Sequence, residues 1–158
     1  MRAFAAGAIL LLVTGCTAPG VAGCTEIGAS PGVGVTVEKA SAASVTALSL
    51  RVCWAGDCTD HEVALSPGSD SIDQGCESDE PDAACSATVV PNGTQVGFVE
   101  IPGLPAGEVL IGATVRDGKG SKRVPEVAIL AEATYPNGPQ CEPVANQAQV
   151  TIGPDGLR

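Results

Sequence analysis

Seven cysteines, one histidine and a short acidic run are the groups in this 158-residue chain whose types and spacing could do chemistry. Cys24, Cys53, Cys58, Cys76, Cys85 and Cys141 could pair in fifteen ways, and local geometry ranks the possibilities. A two-residue turn at Ala55 and Gly56 sets Cys53 directly opposite Cys58, in a non-hydrogen-bonded cross-strand pair of the closer kind that suits a disulfide. The same register places Arg51 across from Asp60, an opposite-charge pair on the same face. Cys76 and Cys85 bracket the polar stretch of Glu77, Asp79, Glu80 and Asp82 and are expected to close it. Cys24 and Cys141 remain, to tie the region before the first strand to the region before the last. A zinc site fits poorly, because four and eight intervening residues do not make paired Cys-x-x-Cys knuckles.

Catalysis has few candidates. His61 is the only histidine, so any Ser-His-Asp or Cys-His arrangement must use it; the hairpin register sets it opposite Leu50, as a packed or rim residue. Bridged cysteines supply no thiolate. With aromatics at 3% of the chain, and only Trp54, Phe98 and Tyr135 outside the leader, a sugar cleft has little to build walls from. The carboxylates Asp70, Asp73, Glu77, Asp79, Glu80 and Asp82 offer hard oxygen ligands for calcium, but no Asp-x-Asx-x-Asx-Gly series ending in Glu is present, so a solvated loop is the expectation. Asn92-Gly93-Thr94 reads as a turn, and Asp117-Gly118-Lys119-Gly120-Ser121 lacks the leading glycine of a phosphate loop. No catalytic, cofactor-binding or metal residue is assigned. A formal charge of −10, one unit more negative once Arg2 is removed, repels phosphate backbones, so nucleic acid is not expected as a partner.

The seventh cysteine has a different setting. Arg2 supplies a positive start, Ala3 to Val13 run without a charge, and Val13-Thr14-Gly15-Cys16 follow at once, the order of regions in an export leader. The apolar run would reach only about 16 Å as a helix, half a hydrocarbon core, so it is too short to span. Val13-Thr14-Gly15-Cys16 resembles the lipobox of bacterial lipoproteins. That resemblance implies lipidation of the Cys16 sulfur, cleavage after Gly15, and anchoring on the extracytoplasmic face of the cell membrane by acyl chains such as palmitate. Val21-Ala22-Gly23-Cys24 is a second, weaker match. Cys16 is favoured because it abuts the apolar run and leaves an even number of cysteines in an oxidising compartment.

Elements that position these groups follow from period-two alternation. Val33, Val35 and Val37 alternate with polar or small residues, as do Leu48, Leu50, Val52 and Trp54. Val63 and Leu65 follow, then Val96 and Phe98, Val109 to Val115, Val127 to Tyr135, and Ala148 to Ile152. Pro67-Gly68, Pro91-Asn92-Gly93, Pro102 to Gly107 and Asp117-Gly118 separate them. Seven or eight short strands and no helical stripe predict a mainly β, disulfide-braced sandwich. The run from Gly103 to Gly120 resembles the late strands of bacterial immunoglobulin-like or fibronectin-III-like modules, which implies an immunoglobulin-like fold. The expected organisation is a leader over 1–15, a lipidated cysteine and flexible tether over 16–32, the β domain over 33–153 and a tail over 154–158. The expected role is a non-catalytic protein-binding or structural module at the cell envelope, held to the membrane by its lipid and meeting an envelope protein through a sheet face or the Cys76–Cys85 loop. A ligand-binding lipoprotein, a calcium-binding surface domain and an envelope enzyme are the alternatives.

Overall fold

A computed structural model describes residues 23–158. The leader, the lipobox with Cys16 and residues 17–22 of the expected tether lie outside the described residues. The chain is mainly β: β1 (Gly32–Val37), a single helical turn α1 (Lys39–Ala42), β2 (Val45–Trp54), β3 (Asp57–Val63), β4 (Leu65–Cys76), β5 (Cys85–Glu100), β6 (Gly107–Asp117), β7 (Gly120–Thr134), β8 (Ala145–Gly153) and β9 (Gly156–Leu157). Neighbouring strands follow the order β3-β2-β6-β7-β8-β1-β5-β4, with β9 on β8.

β7 links two halves of this path. Its first part, from Gly120 to Ala131, pairs with β6, and its last residues, Glu132 to Thr134, pair with β8. One half is therefore β3-β2-β6-β7 and the other β7-β8-β1-β5-β4. Side chains alternate across a strand, so the apolar phase of each half can face the other. Leu48, Leu50, Val52, Val109 and Ile111 from the first half share one buried cluster with Val33, Val35, Val37, Ala148, Val150 and Ile152 from the second. No polar residue is buried among the described residues, so the core is held by apolar burial and dispersion without internal ion pairs. β1 runs parallel to β8 and antiparallel to β5, so the first strand completes the second half from the inside.

Four expectations change. Val96 and Phe98 read as the inward phase of their strand, yet Phe98 is 43% exposed and Ile101 2%. The inward phase of β5 is Gln95, Gly97 and Val99, continued by Ile101 just past its end, because Val63 and Leu65 already occupy the space at its middle. A Cβ on Gly97 would lie 2.5 Å from Val63 Cγ1 and 2.8 Å from the Ala64 carbonyl oxygen. Pro91-Asn92-Gly93 does not end a strand but lies within β5, where residues 92–94 bulge opposite Gly68 of β4. The expected tail over 154–158 folds back as β9, pairing Leu157 with Ile152, and the Arg158 guanidinium contacts the Glu38 carboxylate. The described end of the tether is also docked. Asn137 Nδ2 donates to the Ile27 carbonyl at 3.1 Å, and Gln147 Nε2 to the Ser30 carbonyl at 2.8 Å.

Candidate functional site

The three bridges sit in three different mechanical settings. Cys53–Cys58 crosses the β2–β3 hairpin in the register expected from the turn, with Arg51 opposite Asp60. Ala55 there has φ 52° and Gly56 φ 90°, the double left-handed backbone of a type I′ turn. Cys76–Cys85 closes the tip of β4 and β5. Cys24–Cys141 fastens the chain before β1 to the β7–β8 connection across a sequence separation of 117.

β4 and β5 form a feature that the sequence pattern does not announce. β1 accompanies β5 only as far as the Val37–Gln95 pair; from Ser69–Pro91 to Cys76–Cys85 the two strands pair with each other alone. The result is a two-stranded arm that overhangs the rest of the β structure by roughly 20 Å at ~3.3 Å per residue. Every residue from 69 to 82 is exposed. A ribbon with two wet faces is marginal by itself, and three local devices hold it. Asn92 Nδ2 donates to the Asp70 carboxylate at 2.8 Å, Asn92 Oδ1 accepts from the Thr94 backbone and hydroxyl at 3.0 and 2.8 Å, and the tip bridge limits fraying. Gly68 leaves the space that the Thr94 hydroxyl fills.

The arm carries Asp70, Asp73, Glu77, Asp79, Glu80 and Asp82 and no Lys or Arg. It also exposes two aliphatic side chains, Ile72 at 48% and Val89 at 68%. Ile72 lies opposite Thr88 and Val89 opposite Ser71, so one aliphatic group marks each face. The carboxylates do not gather as a calcium site would require: among the described residues no three His, Cys, Asp or Glu side chains converge in metal-holding geometry.

Other candidates are shallower. His61, opposite Leu50, is half-buried on the edge strand β3, and its Nε2 meets Thr59 Oγ1 at 2.8 Å. A hydroxyl beside an imidazole is the first half of a nucleophile–base pair, and among the described residues no hydrogen bond reaches the other ring nitrogen. On the outer face of the first half, Arg51 lies 3.3 Å from Asp60 and 3.4 Å from Glu126. These groups line a 190 Å³ depression over Gly112, smaller than the ~300–1,000 Å³ usual for a small-molecule site.

A feature missed in the sequence is the β6–β7 hairpin, which carries Arg116, Lys119, Lys122 and Arg123, half of the chain's eight Lys and Arg residues. None of the four makes a salt bridge among the described residues. Its signal lay in charge distribution, since no Lys or Arg occurs between Arg51 and Arg116. No helix among the described residues is long and apolar enough to cross a membrane. Comparison with protein-family models, curated proteins and solved structures finds no match.

Proposed function

We propose that the chain is a lipid-anchored, extracytoplasmic, non-catalytic module that presents its acidic β arm to a protein partner at the cell envelope. The observation that carries this reading is polarity along the strands. Cys24 is bridged to Cys141, beside the end of β7, while the arm leaves the opposite end of the second half, past Val37 and Gln95. If the lipid sits on Cys16, the eight residue steps to Cys24 give at most about 29 Å of slack, and β8 adds about 30 Å of rigid length. The arm is then held away from the bilayer and its carboxylates away from anionic headgroups. Two or three acyl chains on one sulfur and its amino group are enough for firm anchoring, whereas one chain is not.

Intact-mass analysis of the membrane fraction, before and after reduction, tests this reading. The expected product begins at Cys16, carries the mass of its acyl groups and gains the protons of three opened bridges on reduction. The Cys16→Ser chain should leave the membrane fraction. A Cys16→Ser chain retained as tightly as the parent, or a parent found in the cytosol with its leader intact, refutes the anchor.

A further inference from the structure

The acidic arm departs from the end of the molecule at which the turn of the basic β6–β7 hairpin lies. The turn of β6 and β7 lies at the start of β2, where Val45 pairs with Asp117, and Asp117 and Lys122 line one depression together with Ser41 and Ser44 beside α1 and Gly153 at the end of β8. α1 follows directly on Val37, the residue at which the arm departs, and the Lys39 stem lies against Gly93 at the arm's base. An acidic ribbon with no cation and a hairpin bearing four cations without carboxylate partners thus flank one end of the sandwich, on opposite halves. Within one chain no salt bridge joins them among the described residues.

We propose that the arm and the hairpin are the two halves of one self-complementary interface, and that its occupant is a second copy of this chain. A two-fold axis at that end lays the arm of each copy against the hairpin of the other, so each contact is made twice, as in an isologous pair. Arg116, Lys119, Lys122 and Arg123 then meet Asp73, Glu77, Asp79, Glu80 and Asp82, while the aliphatic group on whichever arm face turns inward, Ile72 or Val89, supplies an apolar contact. The overall charge of −10 per chain opposes approach at long range. At ~0.15 M salt the screening length is about 8 Å, so distant charges drop out and the opposed patches decide. This proposal rests on the arm as a docking surface and is independent of the lipid.

Sedimentation of the full chain in uncharged detergent tests it, using the parent, a hairpin variant (Lys119→Glu, Lys122→Glu, Arg123→Glu) and an arm variant (Asp79→Lys, Glu80→Lys, Asp82→Lys). The substitutions are at exposed positions, and circular dichroism checks that each variant keeps its β signal. The parent is expected to dimerise at about 0.15 M salt and to weaken at least about tenfold near 1 M, where screening shortens to ~3 Å. Each variant alone should be monomeric, and an equimolar mixture of the two should associate again. A parent that stays monomeric at about 0.1 mM, a dimer indifferent to either variant, or folded variants that fail to associate when mixed overturns the proposal. Binding of polyphosphate to the hairpin or polylysine to the arm, with no association of the parent, overturns it in favour of a separate partner for each surface. None of these readouts depends on retention of the chain at the membrane, which the Cys16→Ser experiment reads separately.

Discussion

Opening the arm bridge and opening the terminal bridge should damage the protein in different places and by different amounts. The pairs are Cys76–Cys85, with a sequence separation of 9, and Cys24–Cys141, with a separation of 117. In the chain-entropy account a cross-link stabilises by removing loop freedom from the unfolded chain, which gives about 2.6 kcal/mol for the short loop and about 4.9 kcal/mol for the long one as upper values. The short loop lies in a ribbon exposed on both faces, with no buried cluster to couple it to the rest. Its loss should therefore appear as local opening. At 1.36 kcal/mol per factor of ten, about 2.6 kcal/mol is roughly an 80-fold rise in the local opening constant. The long loop encloses nearly the whole described domain, so its loss should lower global stability.

Hydrogen exchange followed by mass spectrometry, on Cys76→Ser/Cys85→Ser and Cys24→Ser/Cys141→Ser chains, reads both effects at once. The first variant should lose protection between residues 69 and 91 and keep it in β1, β2, β6 and β8, with little change in the melting temperature. The second should lose protection throughout and melt lower. Protection that falls in the core strands of the first variant would mean that the arm folds as one unit with the sandwich. Unchanged protection in the arm would mean that strand pairing and the Asn92 network suffice without the bridge. Either outcome refutes the mechanical separation argued from exposure.

Two further changes probe the rest of the fold. Ala55→Asn should raise stability by about 0.5–1 kcal/mol, because Ala55 is held at φ 52° and asparagine tolerates the left-handed region better than alanine; an unchanged chemical-denaturation midpoint contradicts the strain. Ile101→Ala, at a position 2% exposed, should cost about 2–5 kcal/mol, and Phe98→Ala should cost less although the aromatic ring is larger; the opposite order in denaturant unfolding would return Phe98 to the inward phase.

The hairpin of β2 and β3 was legible because its information is local. Two turn residues, two cysteines and one charge pair fix a register over a few residues, and the observed pairs are Cys53–Cys58, Arg51–Asp60 and Leu50–His61. The inward phases of β1, β2, β6 and β8 were legible for a related reason: each has one strongly apolar phase, so burial leaves a single choice of face. β5 misled because its more apolar phase, Val96 and Phe98, lost to neighbours. Gly97 faces inward where Val63 and Leu65 need the room, and Phe98 instead lies over Gly32 on the outer face. A close approach between strands far apart in sequence leaves no mark on the period-two pattern of either one.

The candidate docking surface divides in the same way. Its carboxylates and the Cys76–Cys85 bracket stand in the sequence, but a Pro-Asn-Gly run looks like a strand end until it is seen to form a bulge within β5 opposite Gly68. The sequence by itself determined the strand-rich class, the braces and the excess of negative charge, because composition, turn chemistry and alternation are properties of short segments. Only the tertiary structure decided that β1 lies parallel to β8, that β7 links the two halves, and that the acidic arm departs from the end at which the basic hairpin turns. Those facts depend on which distant strands exclude water from one another, and that choice is made by the whole core at once.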